Sequence, residues 1–396
     1  MCHKLLCQME LTILMPCLNE AETIARCIEK DKIGLQRAGV TGEILIADNG
    51  STDGSQTIAE KLGARVVMVK EKGYGHALRG GVRAALGKWI LMGDADDSYD
   101  FSEADRFVKK FQAGDELVMG CRLPAGGGTI LPGAMPWKNR RLGNPVLTFI
   151  GRFFFTCPAH DFHCGLRGFT RAAFEKMELQ TTGMEFASEM VIKSTLKQMR
   201  ISEVPVTLHR DGRSRPPHLK PWRDGWRHLR FMLLYSPRWL FLVPGLLLSA
   251  FGAALAAVLA VQNIQVAGVV LNVGTLMMTC MMVVVGFQLT AFAFYTKIFA
   301  IAEGLLPEDP SLNRLFRFFT LEKGIAAGLL VLAAGLALLL RAVWLWKEAS
   351  FGPLPSMEEN LRRLIPAATL ILLGVQSIFS SFFLSVLGLK TTKLNR

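Results

Sequence analysis

The stretch that decides the reading is Lys88-Trp-Ile-Leu-Met-Gly-Asp94-Ala-Asp96-Asp97. A short apolar run, Trp89–Met92, stops at a cluster of three carboxylates. The loop after a buried parallel strand is where α/β proteins place their ligands. Two acidic side chains one residue apart at such an edge suit a hard divalent cation that also touches a diphosphate. Mg²⁺ takes one or two protein carboxylates and leaves the rest of its shell to water and phosphate. Taken alone, the pattern reads as a solvated acidic turn. Its neighbours reverse that.

Around it, short strand patterns alternate with helical ones. Strands are expected at 11–16, 43–47, 66–69, 89–92 and 117–119, with helices at 20–38, 56–62, 76–86 and 102–112. That alternation implies an α/β fold with a mostly parallel sheet covered on both faces. Three polar loops then fall at carboxyl ends of strands: Pro16-Cys-Leu-Asn-Glu20, Asp48-Asn-Gly-Ser-Thr-Asp-Gly54, and 94–97. Their convergence on one edge points to a nucleotide pocket. Asn19 can cap the helix behind it, and Ser51-Thr-Asp-Gly-Ser55 is a helix-start sequence. Neither reading competes with the pocket, because a helix amino end also attracts phosphate. Gly73-Tyr-Gly75 is followed only by Gly80, so a dinucleotide fingerprint fails, and no P-loop occurs. Those patterns speak against a dehydrogenase or an NTPase.

The 396 residues are 51% hydrophobic, and the long apolar runs are confined to the second half. Four of them, about 239–261, 266–294, 324–346 and 364–389, reach the roughly 20 residues that cross a hydrocarbon core. The expected organisation is an α/β domain over 1–236 and a four-helix transmembrane domain over 237–396. Between them, Pro221-Trp-Arg-Asp-Gly-Trp-Arg-His-Leu-Arg-Phe-Met mixes basic and aromatic residues at helical spacing, the pattern of an interfacial amphipathic helix over about 221–236.

The formal charge is +12. Arg210, Arg213, Arg215, Lys220, Arg223, Arg227, Arg230 and Arg238 crowd just ahead of the first apolar run, as on a cytoplasmic flank facing anionic lipid. Lys297, Arg314, Arg317 and Lys323, and the tail residues Lys390, Lys393 and Arg396, fit the same side. Lys347, Arg362 and Arg363 run against it. No nucleic-acid module accompanies the charge, which argues against a nucleic-acid partner. The eight cysteines include no C-x-x-C pair and fit a reducing compartment. The first eight residues lack the apolar core of a secretory signal, and Met9, directly before the first strand, offers an alternative start.

Pro16-Cys-Leu-Asn-Glu20, Asp48-Asn-Gly-Ser-Thr-Asp-Gly54, Lys72-Gly-Tyr-Gly75 and Asp94-Ala-Asp96 together resemble a family 2 glycosyltransferase with a GT-A fold. Gly120-Cys-Arg122, Cys164-Gly-Leu-Arg167 and Gly212-Arg-Ser-Arg215 make the likeness closer to the polyprenyl-phosphate glycosyltransferases, that is, dolichyl-phosphate mannose synthases and their bacterial undecaprenyl-phosphate relatives. The resemblance spans roughly residues 10–240. It implies that Pro16, Asn19 and Glu20 line the nucleotide, that Asp48 meets the base, that Asp94 faces the diphosphate, and that Asp96 ligates Mg²⁺ or Mn²⁺. It places Arg213 on the donor diphosphate, and Arg122, Arg140 and Asn144 at the acceptor phosphate. Charge-assisted arginine–phosphate bonds are the physical reason for arginine at these places.

The chain departs from the family pattern at Asn49, where a second Asp is usual, at Ser98, where a Gln often assists the metal, and at Asn144, where a serine is common. The Gln-x-x-Arg-Trp of processive synthases is missing, so a single transfer is expected. The implied enzyme moves one sugar from a UDP- or GDP-linked donor to a polyprenyl phosphate, with inversion. Its setting would be a multi-pass protein, as in a bacterial inner membrane, with a cytoplasmic catalytic domain and room for a homo-oligomer. A lipid phosphate is already an anion and needs no strong base. A hydroxyl acceptor, the alternative within the class, would need one, with Asp97 or Glu189 as candidates. A rival from another class is a lipid-sugar flippase with a degenerate nucleotide-binding domain. His160-Asp-Phe-His163-Cys164 has the look of a metal cluster but lacks a second ligand pair.

Overall fold

The computed structural model describes residues 9–215, 221–312, 314, 320–352 and 356–393. Lys220, Arg317 and Arg396 of the basic clusters, and Cys2 and Cys7, lie outside the described residues. The chain divides after Met232 into two compact units.

The first unit is built on a seven-stranded sheet. In chain order its elements are β1 (Leu11–Cys17), α1 (Ile24–Ala38), β2 (Gly42–Asp48), α2 (Ser55–Lys61), β3 (Arg65–Met68), α3 (Tyr74–Ala84), β4 (Trp89–Met92), α4 (Ala104–Gln112), β5 (Leu117–Cys121), β6 (Thr129–Ile130), α5 (Asn144–Phe155), β7 (Arg167–Thr170), α6 (Arg171–Met177), α7 (Phe186–Leu196), β8 (Ile201–Pro205), β9 (Thr207–Leu208) and α8 (Pro221–Leu234). The sheet order is β3-β2-β1-β4-β7-β5-β8, and β7 alone in it runs against its neighbours. β6 and β9 form a separate short pair. Strands β1 and β4 are buried almost throughout, as expected of sheet covered on both faces. On α1, Ile24, Cys27, Ile28, Asp31 and Gly34 recur at three- and four-residue steps and form its inward face. Gly39, at φ 64°, ends that helix.

The α/β fold and its parallel core match the expectation, and β4 falls on the expected residues. Two features differ. The first helix begins at Ile24, because Asn19 sits at φ 60° and the chain from Leu18 to Thr23 is spent on a polar loop. Strand β7 was unforeseen. It carries the fully buried Arg167 where a strand would place an apolar side chain, and Gly168 beside it.

The second unit holds four helices long and apolar enough to cross a membrane: Arg238–Leu259, Val273–Ala302, Leu321–Glu348 and Met357–Gly388. The second begins at Val273 and not at 266, because Ile264–Val266 and Val269–Leu271 pair as a hairpin around Ala267-Gly268, both at positive φ. β-branched residues in an apolar run satisfied a strand as well as a span. Small residues let these helices approach closely. A Cβ at Gly245 would stand 2.8 Å from the Gly286 carbonyl, and one at Gly374 would stand 2.6 Å from the Leu332 nitrogen.

Candidate active site

Three strands deliver the polar loops to one edge. Cys17 at the end of β1 is paired in register with Asp48 at the end of β2, and Leu14 with Met92 at the end of β4. The three loops then knit together. The Asn19 amide donates to Ser51 Oγ at 2.8 Å, and Asn19 Oδ1 accepts from the Thr52 amide at 2.8 Å. Thr23 Oγ1 donates to the Ala95 carbonyl at 2.6 Å.

Asp94 and Asp96 meet at this edge, each held by a different device. Tyr74 Oη donates to Asp94 Oδ1 at 3.1 Å. Burial, and next the charge of Asp96, push the Asp94 carboxyl up to about 6. Asp96 Oδ1 accepts from the Ser98 amide at 3.0 Å and from Ser98 Oγ at 2.5 Å. Ser98 therefore orients Asp96, a role its departure from the family pattern did not suggest. Asp96 Oδ2 accepts from Arg213 Nη2 at 2.8 Å.

Arg213 is the hub of the charges. Its Nη1 lies 3.2 Å from Glu20 Oε1, and its Nε donates to Asp211 Oδ2 at 2.8 Å. Desolvation works to lower its pKa, but the Asp211 hydrogen bonds and the Asp96 charge outweigh that and hold it above the usual value. Arg215 Nη2 adds a second cation 2.7 Å from Glu20 Oε1. Burial raises the Glu20 pKa against the pull of both arginines. Glu20 Oε2 is buried with no hydrogen-bond partner among the described residues. With Asp96 it offers the hard oxygen donors that Mg²⁺ or Mn²⁺ takes. No group of three or more His, Cys, Asp or Glu able to hold a metal occurs among the described residues. The two carboxylates therefore suit a cation that completes its shell with diphosphate and water.

Several expected residues stand elsewhere or have other work. Asp97, at φ 64°, turns away from the pair to Lys30 Nζ at 2.6 Å and Arg26 Nη1 at 3.6 Å. Asp48 is fully buried, and its carboxylate accepts from the Gly50 and Ser51 amides and from Gln56 Nε2. Through these bonds it shapes its own loop. Asn49 donates to the Val69 and Glu71 carbonyls and accepts from the Gly73 amide. An ionised carboxylate could accept but not donate, which explains Asn where Asp is usual. Pro16 precedes this cluster within β1.

Arg122 is buried and closed onto Asp161, with Nε to Oδ2 at 2.7 Å and Nη2 to Oδ1 at 2.9 Å. Its Nη1 reaches Tyr99 Oη at 3.4 Å. Desolvation would raise the Asp161 pKa, but Arg122 overrides it and the net shift is downward. Arg140 is exposed on a turn of π-helix over Asn139–Gly143, and Asn144 Nδ2 contacts Met135 Sδ at 3.3 Å. The structure thus brings Asp94, Asp96, Glu20, Asn19 and Arg213 together and engages Arg122 elsewhere.

Glu189 is fully buried on α7. It pairs with Lys193 at 2.9 Å and accepts from the Gln180 and Thr181 amides. It braces the loop that packs on Gly73 and Gly75. Gly73 lies at φ 135°, and a Cβ at Gly75 would stand 2.6 Å from the Thr181 carbonyl, so only glycine fits there. His160 pairs with Glu203 at 2.7 Å, and His163 packs at a tilt against the Phe162 and His228 rings, so His160 and His163 are turned to different partners.

Sequence reasoning missed Tyr74, Tyr99, Arg215 and Asp211 as members of the site. Tyr74 stood in plain view inside the quoted Lys72-Gly-Tyr-Gly75, and the chain has only four tyrosines, so a buried one beside glycines was a usable signal.

Residues 12–178 match the Glycosyl transferase family 2 description, and residues 294–388 match the Glycosyltransferase family 2 C-terminal transmembrane region. The chain is similar to the low-salt glycan biosynthesis hexosyltransferase Agl6 of Haloferax volcanii, 38% identical over 96% of this chain and 89% of that one. It is also similar to a dolichyl-phosphate hexose transferase of the same organism, 30% identical over 50% of this chain and 82% of that one. Among solved structures, glucosyl-3-phosphoglycerate synthase of Mycobacterium tuberculosis, in complex with Mn²⁺, UDP-glucose and phosphoglyceric acid, aligns at a TM-score of 0.45 and 22% identity, over 58% of this chain and 79% of that one. The chain belongs to glycosyltransferase family 2, as a membrane enzyme with a GT-A-type α/β domain followed by the family's C-terminal transmembrane region.

Proposed function

We propose that this enzyme moves a single hexose from a nucleotide-sugar to a polyprenyl phosphate, with inversion. The observation that carries the reading is the withdrawal of both candidate bases. Asp97 is tied to Lys30 and Arg26, and Glu189 is locked under the Gln180–Thr181 loop. An acceptor that arrives as an anion needs neither. The dolichyl-phosphate hexose transferase among the relatives supports the same acceptor class.

In this reading Asn19 and Glu20 border the nucleotide, and Asp94, steadied by Tyr74, faces the sugar-bearing diphosphate. Asp96 holds Mg²⁺ or Mn²⁺, which when bound helps to neutralise the departing nucleoside diphosphate. Arg213 already stands between Asp96 and Glu20 and supplies positive charge where the leaving group gains its negative charge. Arg140, exposed and basic, is left to meet the acceptor phosphate, with Asn144 one helical turn on. Arg122 supports the acceptor side through Asp161 and Tyr99. A phosphate oxygen of the acceptor attacks the anomeric carbon from the face opposite the diphosphate, so the bond formed and the bond broken lie in line and the centre inverts. The basic flank ahead of Arg238–Leu259 supports a catalytic domain on the cytoplasmic side, with four spans and both ends there.

The test is an assay in detergent with Mg²⁺ or Mn²⁺, undecaprenyl phosphate and a panel of radiolabelled UDP- and GDP-hexoses. A solvent-extractable labelled lipid that disappears with EDTA and in Asp96→Ala supports the reading. Donor hydrolysis with no lipid product would move the acceptor to another class.

A further inference from the structure

We propose that the second and fourth apolar helices, Val273–Ala302 and Met357–Gly388, together form a pairing face inside the membrane, and that its occupant is a second copy of this chain. The two helices flank a groove of about 700 Å³, lined by Gln288 and Tyr295 on one and by Gln376 and Ser380 on the other. The Tyr295 and Phe383 rings meet edge to face across it, with centroids 4.7 Å apart. Seven residues, two helical turns, separate Gln288 from Tyr295 and likewise Gln376 from Phe383. When each helix crosses the bilayer once, the second and fourth run in the same direction, so the two amides stand at one level. That level is the middle of the membrane. Gln288 lies 15 residues after Val273 and 14 before Ala302. Gln376 lies 12 residues after the start and 13 before the end of the apolar run 364–389.

The bundle satisfies many of its polar side chains from within. Thr290, Thr369, Ser377 and Ser381 each donate to the carbonyl four residues back, at 2.7–2.9 Å. The amides are served differently: Gln376 Oε1 is buried with no hydrogen-bond partner among the described residues, and Gln288 is exposed on the groove wall. The bilayer cannot supply the missing bonds. A hydrocarbon core about 30 Å thick leaves a midplane group about 15 Å from water and headgroups, and acyl chains neither donate nor accept. The occupant must therefore carry hydrogen-bonding groups to that depth on an apolar body. A second copy does so by symmetry, because rotation about an axis along the bilayer normal keeps every residue at its own depth. A carboxamide both donates and accepts, so Gln288 of each copy can answer Gln376 of the other in an isologous contact. No charged side chain lines the groove, and two copies approach without repulsion. The proposal rests on these helices spanning the bilayer, as in the reading above.

The experiment uses the full chain in liposomes, with Cys2 and Cys7 changed to serine; the six described cysteines are buried. Donor and acceptor dyes on Lys61→Cys, exposed on α2, report energy transfer between copies as lipid dilutes the protein. Each interhelical hydrogen bond lost is expected to weaken pairing about threefold, so Gln288→Leu with Gln376→Leu should weaken it roughly tenfold. Geometry is read by mixing copies that carry Gln288→Cys with copies that carry Gln376→Cys. Oxidation with copper phenanthroline should join the two kinds to each other. Leu330→Cys, 73% exposed on Leu321–Glu348 and outside the groove, should join nothing. Energy transfer no greater than random proximity, or cross-linking no more frequent than at 330, overturns the proposal. Unchanged pairing in the double leucine variant overturns the part assigned to the amides. A membrane-impermeant maleimide should leave cysteines at 288, 376 and 330 unmodified in intact liposomes. Modification there would contradict the spanning reading itself, a result distinct from failure of the pairing. Sugar transfer enters none of these measurements, so their outcome is separate from that of the catalytic reading.

Discussion

Arg122 and Asp161 form a closed, two-pronged ion pair inside the catalytic domain, with Nε–Oδ2 at 2.7 Å and Nη2–Oδ1 at 2.9 Å, and the Arg122 amide donates to Asp161 Oδ2 as well. The pair joins the end of β5 to the segment that leads into β7. An arginine spent in this way cannot also grip a phosphate with the same two nitrogens. Removing one partner of a buried pair leaves the other charge uncompensated, at a cost of about 3–5 kcal/mol. Asp161→Asn and Arg122→Gln are therefore expected to lower the unfolding midpoint of the detergent-solubilised protein alike. Full stability with lost activity in Arg122→Gln alone would return Arg122 to the acceptor phosphate.

Asp97→Asn separates the carboxylates. With its side chain on Lys30 and Arg26, Asp97 is expected to be dispensable for turnover, whereas a general base contributes about 10²- to 10⁴-fold. Steady-state transfer by Asp97→Asn should stay near the wild-type rate, while Asp96→Asn should lose about a hundredfold or more.

Tyr74→Phe tests the tether on Asp94. A hydrogen bond to a charged group contributes about 1.5–3 kcal/mol to the folded state, so the thermal midpoint should fall, and kcat/KM for the donor should fall with it by about tenfold as Asp94 loses its tether. Equal kcat/KM would show that Asp94 holds its position without Tyr74.

Asp31 gives a pH signature of stability. It is fully buried on α1, and neither carboxylate oxygen has a hydrogen-bond partner among the described residues. Burial raises its pKa well above the ordinary value, and Lys30 only partly opposes this. Below about pH 4 both folded and unfolded chains carry the proton and Asp31 costs nothing through ionisation. As pH rises, the unfolded chain releases its proton while the folded one retains it, so the folded state loses stability through that window. Asp31→Asn should remove this dependence, with a stability gain over wild type that grows between pH 4 and 7 in thermal melts. A constant difference across that range would contradict it.

The parallel core was legible because β1, β2 and β4 each hold a buried apolar run, 13–15, 44–47 and 89–92, that leads into a polar loop, and a strand buried on both faces leaves that trace. β7 left no such trace, since its buried members include Arg167, whose guanidinium is satisfied by the Cys164 and Ala187 carbonyls. The Asp94/Asp96 pair could be read from spacing, because two acids on one loop must lie near each other. Partner choice could not. Nothing in the order of residues says that Asp97 rotates to Lys30, that Arg122 closes on an acid 39 positions away, or that Ser98 holds Asp96. Those depend on φ angles and on packing between distant segments. The hairpin at 264–271 was hidden for a related reason, because an apolar β-branched run is compatible with both strand and span.

The central claim is that the acceptor supplies its own anion. It is tested most directly by comparing undecaprenyl phosphate with undecaprenol, using the donor the enzyme accepts and the same detergent and metal. The account predicts labelled lipid from the phosphate, none above background from the alcohol, and inverted configuration at the anomeric carbon of the product. Transfer to undecaprenol at a comparable rate would contradict it and require a base that Asp97 and Glu189, as placed here, do not provide.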